Sequence, residues 1–228
     1  MGSLKFILKR ILIFGDSNSW GYTDEDNGHR YEKRWPVLFN QELIQKGFDT
    51  EILEDCLPGR TTNIDDLQDG IHLNGAKVLK SSLLSHSPIN LVILMLGTND
   101  LKIRFQRTAE NIGDGIKELI QIVLDTNSGS GGWHDVNKSN LAVICPPTLG
   151  EKSNDPTWIN FKEWEGGLKK SKELYFSFEN ICNEMGVDLI DANKFCQSSS
   201  IDPIHWSKPM HMKFSENLAK IIGQKIKL

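Results

Sequence analysis

Five residues that could supply a nucleophile, a base, a carboxylate or a hydrogen-bond donor come after short apolar runs in this sequence. In chain order they are Ser17, Gly59, Asn99, Asp202 and His205. A serine hydroxyl is a weak nucleophile unless an adjacent base such as imidazole takes its proton. The aspartate stands three positions before the histidine, so one turn can supply both side chains. The set is of the kind that nucleophilic catalysis uses, if the fold brings its members together.

The apolar runs predict the sheet that would position these residues. We predict strands at residues 11–14, 50–54, 91–96, 141–145 and 187–190. We predict helices at residues 35–45, 75–86, 108–124, 161–185 and 208–227, with Gly166 and Gly167 as a point where the fourth could break. Because strands that are apolar throughout alternate with helices, we predict an α/β protein whose parallel sheet is covered by helices on both sides.

The carboxyl ends of the strands are the informative positions, because ligands bind there in open parallel sheets. If the strand order is 2-1-3-4-5, then Ser17, Gly59 and Asn99 end adjacent strands and must converge. Read alone, the Asp202 to His205 segment is more typical of a proline turn with a capping aspartate. Gly59 alone could be an ordinary turn glycine. The chemical interpretation therefore depends on all of these segments occurring together.

The order of the segments carries a resemblance to a known family. GDSN at 15–18, the loop around Gly59, GTND at 97–100 and DPIH at 202–205 resemble the four sequence blocks of the SGNH hydrolases, the GDSL esterase and lipase superfamily. Residues 59–66, 73–76 and 92–100 are similar to its bacterial arylesterase and acyltransferase branch. The resemblance covers nearly the whole chain. It implies one domain over residues 1–228, with a three-layer α/β/α flavodoxin-like fold and a five-stranded parallel sheet in the order 2-1-3-4-5.

The resemblance also implies a role for each of the five residues. Ser17 would be the nucleophile, and His205 the base that then protonates the leaving alcohol. Asp202 would orient the imidazole and stabilise the imidazolium. The backbone N–H groups of Ser17 and Gly59 and the side-chain amide of Asn99 would form the oxyanion hole.

Three further residues are candidates for the substrate-binding region. Asp16 is expected to fix the nucleophile loop by accepting backbone N–H groups. Trp20 is expected to line the pocket or to pack in the core. Trp158, with Phe161, belongs to a long insertion after the fourth strand, which could form a lid or an oligomer contact.

Three other polar residues receive structural interpretations. We expect Asp100 to be a cap or loop anchor rather than a second catalytic acid, and His211 to be a packing or surface histidine. Cys56 occupies a position where many members of the family carry glycine. Gly59 is the usual hydrolase residue, whereas the best acyltransferases of the branch resemble this segment with alanine there.

Composition excludes several other classes of protein. The chain has 228 residues, 26 of them basic and 30 acidic, and no basic stripe of the kind that nucleic-acid binding requires. Its four cysteines, at 56, 145, 182 and 196, have neither metal-finger nor C-x-x-C spacing and are typical of free thiols in a reducing compartment. Lys9 and Arg10 interrupt the apolar start, which argues against a signal peptide. We therefore expect a cytoplasmic protein with no membrane insertion, metal or organic cofactor.

The sequence thus predicts a carboxylic-ester hydrolase that acts on short-chain aryl or alkyl esters through an acyl-serine intermediate. An alcohol could compete with water, which would give acyltransferase side activity. The alternatives are a carbohydrate acetylesterase, a lysophospholipase or thioesterase, and a non-catalytic binding module on the same fold. The expected partner is a small ester, and the resemblance implies a homo-oligomer.

Overall fold

Five parallel strands form the centre of the protein, for which a computed structural model describes residues 8–225. They are β1 (Lys9–Gly15), β2 (Thr50–Cys56), β3 (Leu91–Met95), β4 (Asn140–Cys145) and β5 (Asp188–Asp191). Their order in the sheet is β2-β1-β3-β4-β5, as predicted. Ile11 of β1 pairs with Ile52 on one side and Leu91 on the other. This register brings the carboxyl ends of β1, β2 and β3 to one edge of the sheet.

Seven α-helices are found within residues 8–225. They are α1 (Ser17–Trp20), α2 (Trp35–Gln45), α3 (Gly75–His86), α4 (Ala109–Asp125), α5 (Phe161–Trp164), α6 (Gly167–Met185) and α7 (Lys208–Lys225). The predicted ranges of α2 and α3 match these bounds. Thr108 caps α4 through a reciprocal pair of hydrogen bonds with Asn111.

Alternate residues of β1 face two different helical layers. Leu12 and Phe14 pack with apolar residues of α3, α4 and α6. Ile11 and Ile13 pack with apolar residues of α2 and α7. Because successive side chains of a strand point to opposite faces, an entirely apolar strand needs a cover on both sides. The predicted three-layer arrangement is therefore confirmed.

The predicted helix over residues 161–185 is interrupted in the structure. Gly166 has a φ of +75°, in the left-handed region that favours glycine, so the chain turns between α5 and α6. The four-residue helix α1 was not predicted, because four residues are too few to show a helical period. The predicted end of the last helix at residue 227 lies outside the described residues, as do residues 1–7. None of the helices among residues 8–225 has the length and apolar character needed to cross a membrane.

Candidate active site

A tight turn after β1 presents Ser17 at the edge of the sheet. Asp16 caps the short helix α1, and its Oδ1 accepts a 3.0 Å hydrogen bond from the backbone N–H of Asn18. Gly15 must lack a side chain, because a Cβ there would lie 2.4 Å from the hydroxyl oxygen of Ser19. The turn ends at Gly21, where φ is +96°. The predicted role of Asp16 in fixing this loop agrees with its observed contacts.

The structure brings Ser17, His205 and Asp202 into one line of hydrogen bonds. The Nε2 atom of His205 lies 3.0 Å from the Oγ of Ser17, and its Nδ1 atom lies 2.6 Å from the Oδ2 of Asp202. The other carboxylate oxygen of Asp202 accepts hydrogen bonds from the backbone N–H groups of Ile204 and His205. One turn therefore fixes both the aspartate and the histidine, as their spacing in the sequence suggests.

Two carboxyl groups near Ser17 have pKa values that are shifted in opposite directions. Burial alone would raise the pKa of Asp202, but the hydrogen bond and charge of His205, together with the backbone N–H groups of Ile204 and His205, lower that pKa below its ordinary value. Burial raises the pKa of Asp16 from 3.8 to about 6, although the Asn18 N–H, the charge of His205 and the Thr98 hydroxyl oppose the increase. Asp202 is thus the carboxylate held ionised beside the imidazole.

Gly59 and Asn99 line the same cavity as Ser17. Gly59 has a φ of +87°, and a Cβ there would lie 3.2 Å from the Cδ1 of Leu73. The Nδ2 of Asn99 donates a 3.2 Å hydrogen bond to the backbone carbonyl of Arg60. Ser17, Gly59 and Asn99 all line one cavity with His205, so the residues proposed from sequence do converge.

Arg60, which sequence reasoning missed, joins the strands beneath this cavity. It is 4% exposed, and its guanidinium lies 4.0 Å from the ring centre of Phe14. One guanidinium nitrogen donates a 2.7 Å hydrogen bond to the carboxylate of Asp55. The other donates to two backbone carbonyls, that of Gly15 at 3.3 Å and that of Asp55. An arginine in a polar loop gives no sequence signal for such burial, which arises because the carboxyl ends of β1 and β2 meet there.

Asp100 anchors a loop and does not line the cavity. It is fully buried and accepts hydrogen bonds from the N–H of Thr62 at 3.0 Å, from the Thr62 hydroxyl at 2.6 Å and from Arg107 at 2.7 Å. Burial raises the pKa of Asp100, against the charge of Arg107 and the Thr62 hydrogen bonds. The geometry is that of the anchor the sequence predicts.

The cavity has a volume of about 270 Å³ and a mixed lining. Its residues are Ser17, Tyr22, Pro58, Gly59, Asn99, Lys102, Trp158, Asn160, Glu163, Trp164, Asp202, Ile204 and His205. The insertion after β4 supplies four of these residues, at 158, 160, 163 and 164. Trp158 therefore lines the cavity, whereas Phe161 from the same insertion is not among the lining residues.

The prediction of a pocket role for Trp20 needs correction. Trp20 lies beneath Arg30, whose guanidinium carbon is 5.5 Å from its ring centre, and it is not among the cavity's lining residues. The left-handed turn at Gly21 separates Trp20 from Tyr22, and it is Tyr22 whose ring lies 4.2 Å from that of His205. Asp16, at 1% exposure, also lies beneath the cavity rather than in its lining. The sequence alone does not show whether Trp20 or Tyr22 faces the cavity.

An ion pair forms part of the cavity wall. The ammonium of Lys102 lies 3.2 Å from the carboxylate of Glu163 and 5.6 Å from the ring centre of Trp164. Arg104 pairs with the same carboxylate at 3.0 Å. The wall therefore offers hydrogen-bonding groups beside the aromatic rings.

His211 and Cys56, which the sequence analysis also considered, both lie away from the cavity. His211 is fully buried, and its Nδ1 accepts a hydrogen bond from the backbone N–H of Trp35, while burial lowers its pKa to about 4. Burial raises the pKa of the Cys56 thiol. Neither lines the cavity. In the part of the chain that the structure describes, no three His, Cys, Asp or Glu side chains are grouped so that they could hold a metal ion.

Comparisons with known proteins place this geometry in context. The sequence profile of the GDSL-like Lipase/Acylhydrolase family matches residues 13–212. An arylesterase from Vibrio mimicus is 26% identical over 147 residues, which are 64% of this chain and only 60% of that protein. The native M. smegmatis aryl esterase has a TM-score of 0.85 at 35% identity, over 96% of this chain and 100% of that one. A carbohydrate acetylesterase from Sinorhizobium meliloti has the same TM-score and coverage at 32% identity.

Proposed function

The chain belongs to the GDSL-like lipase/acylhydrolase family, and from that premise we propose that it is a serine esterase that hydrolyses short-chain carboxylic esters. The observation that carries the proposal is the line from Ser17 to His205 at 3.0 Å and from His205 to Asp202 at 2.6 Å. Both distances are within the range that direct proton transfer requires.

Acylation begins at the Ser17 hydroxyl. The Nε2 of His205 takes its proton as the oxygen attacks the ester carbonyl, and the carbonyl oxygen becomes an oxyanion. The N–H groups of Ser17 and Gly59 and the amide of Asn99 donate to that oxyanion. The imidazolium then gives its proton to the departing alcohol oxygen, the C–O bond breaks, and an acyl-Ser17 ester remains.

Deacylation repeats these steps with water. His205 takes a proton from water, whose oxygen attacks the acyl carbon, and then returns a proton to Ser17 as the carboxylic acid leaves. Asp202 stays ionised throughout and stabilises each imidazolium. An alcohol that replaces water in this step forms a new ester, which would be acyltransferase activity.

The size of the cavity supports a short acyl chain. Its volume of about 270 Å³ is at or below the lower end of the range for pockets that enclose drug-sized ligands. We therefore expect acetyl and propionyl esters to be better substrates than esters of octanoate or longer acids, which lysophospholipases would favour.

Carbohydrate acetylesterase activity is the second candidate. The rings of Tyr22, Trp158 and Trp164 and the polar side chains of Asn160 and Glu163 line one small cavity. Flat apolar rings can contact a sugar face, while amide and carboxylate groups bond to its hydroxyls. Acetate release from acetylated xylan, compared with hydrolysis of p-nitrophenyl acetate, separates this candidate from a simple arylesterase.

The main proposal is tested with a fluorophosphonate probe and p-nitrophenyl esters of increasing chain length. The wild type should gain one adduct at Ser17 and hydrolyse the acetate ester fastest. Ser17→Ala should fold normally, gain no adduct and lose the activity. Ser19→Ala, two positions along the same turn, should behave as wild type. An unlabelled wild-type protein, beside a labelled control esterase, would favour the non-catalytic binding module.

A further inference from the structure

Asn18 connects the turn that carries Ser17 to the loop that carries His205. It is 2% exposed, and its Nδ2 donates a 3.2 Å hydrogen bond to the backbone carbonyl of Ile204, the residue directly before the histidine. The two residues are 186 positions apart in the chain. This hydrogen bond therefore links two segments that meet only through tertiary packing.

The remaining hydrogen bonds of the histidine loop come from elsewhere. Ser199 accepts from the N–H of Asp202 at 2.8 Å and donates its own N–H to the carbonyl of His205 at 2.7 Å. Gly150 donates to the carbonyl of Pro203 at 2.8 Å. These contacts fix the shape of the loop but do not set its distance from Ser17. Among the described residues, the Asn18 side chain makes the one hydrogen bond from the nucleophile turn to this loop's backbone.

The other polar atom of the Asn18 side chain has no such contact. Its Oδ1 is buried and has no hydrogen-bond partner among the described residues. A buried acceptor without a partner destabilises the folded state. Leucine has nearly the same size as asparagine and carries no polar atom. An apolar side chain of that size would avoid the unpartnered oxygen, so the contact that accounts for the asparagine is the bond from its Nδ2 to the Ile204 carbonyl.

We propose that Asn18 is a positioning residue that holds the His205 imidazole at proton-transfer distance from Ser17. The inference rests on the proposed esterase function. The Nε2 to Oγ distance of 3.0 Å is close to the upper limit for efficient transfer. Small displacements of catalytic groups cost large factors in rate, and one hydrogen bond can restrain such a displacement. Loss of the bond should slow acylation by about tenfold.

The test is Asn18→Leu, which removes the donor and the unpartnered oxygen together without leaving a cavity. We expect kcat for p-nitrophenyl acetate to fall about tenfold with KM within about twofold, because ester binding does not involve the side chain. The rate of phosphonylation of Ser17 should fall by the same factor. The melting temperature should stay close to that of the wild type, because the unpartnered Oδ1 is removed while the buried Ile204 carbonyl loses its donor. A lower kcat and a slower phosphonylation at an unchanged melting temperature are a combination that a merely structural role does not give.

Ser19→Ala is the matched control. Ser19 is fully buried in the same turn and its hydroxyl has no partner, but it makes no bond to the histidine loop. Its substitution should leave kcat unchanged. Asn18→Ala is the second variant, in case leucine does not fit. Measured below its melting temperature, it should show the same loss of kcat and of phosphonylation rate.

The inference is overturned if either folded Asn18 variant keeps the wild-type kcat and phosphonylation rate, or if Asn18→Leu loses activity only in proportion to a loss of folded protein. These outcomes differ from a failure of the esterase proposal itself. In that case the wild-type protein would not be phosphonylated at Ser17.

Discussion

The side-chain amide of Asn99 donates a hydrogen bond to the backbone carbonyl of Arg60, the residue that follows Gly59. An amide carries two N–H donors, so one can hold this 3.2 Å bond while the other donates to substrate. Two of the three proposed oxyanion donors are thereby joined, although they follow different strands. A substitution that disturbs either Gly59 or Asn99 should therefore weaken the stabilisation of the transition state.

Asn99→Ala should lower kcat about a hundredfold and change KM little. The reason is that full negative charge on the carbonyl oxygen exists only near the transition state. Steady-state kinetics with p-nitrophenyl acetate measure both quantities. Asn180→Ala, at an exposed position on α6, is the control and should have no effect. A rise in KM with unchanged kcat would contradict the assigned role.

Arg60→Lys should reduce both stability and activity. Lysine keeps the charge but cannot donate to Asp55 and to the Gly15 carbonyl together, because it lacks the planar fork of the guanidinium. We expect about 2 kcal/mol less free energy of unfolding, measured by urea denaturation, and a lower kcat well below the melting temperature.

Arg30→Lys provides the comparison. Arg30 also pairs with a carboxylate, that of Glu54, but its side chain is 39% exposed. The same substitution there should change stability by less than about 0.5 kcal/mol. Equal effects at the two positions would show that the burial of Arg60 does not matter.

The sequence predicts the five strands and the five longer helices, because apolar strands and long amphipathic helices each give a strong local signal. The strand order is predicted from the resemblance to the SGNH hydrolases. The sequence also predicts the contacts of Asp16 and Asp100, since both follow strand ends where loops need anchors. It does not predict which of Trp20 and Tyr22 faces the cavity. That choice depends on the left-handed turn at Gly21, a single backbone conformation without a periodic signal.

The burial of Arg60 and the cavity wall formed by Lys102 and Glu163 are likewise absent from the sequence prediction. Each depends on a contact between segments far apart in the chain: Arg60 with Gly15, and Lys102 with the insertion after β4. The sequence around Arg60, Lys102 and Glu163 gives no sign that these side chains are buried or line a cavity. Their roles arise from tertiary contacts between segments that are distant in the chain.

Asp16→Asn should change how stability depends on pH. The pKa of Asp16 is about 6 in the folded protein, against 3.8 as the ordinary value. Between these values the folded state binds more protons, so this group lowers the free energy of unfolding as pH rises from about 4 to about 6. The penalty above pH 6 is about 3 kcal/mol. Asparagine keeps the acceptor for the Asn18 N–H and removes this penalty.

The measurement is urea denaturation of both proteins at pH 4, 5, 6 and 7. Other carboxyl groups titrate in this range, so the informative quantity is the difference between the variant and the wild type. We expect Asp16→Asn to gain stability relative to the wild type as pH rises. Two parallel curves would mean that burial does not raise the pKa of Asp16 as described.

Arg107→Met should destabilise the protein without altering its chemistry. Arg107 is the cation that pairs with Asp100 at 2.7 Å, and both side chains are buried. Removing one partner leaves the carboxylate buried without its counter-charge, which costs about 3 kcal/mol. Neither residue lines the cavity, so kcat and its pH profile should stay as in the wild type at temperatures where the variant is folded.

The decisive comparison is with Asp100→Asn. This variant keeps an acceptor for the Thr62 N–H while removing the charge, so its loss of stability should be smaller than that of Arg107→Met. If Asp100 anchors the loop, the pH profile of kcat/KM is unchanged in both variants, because neither group exchanges a proton with substrate. A shifted or flattened profile in Asp100→Asn alone would instead identify Asp100 as a second acid in the reaction.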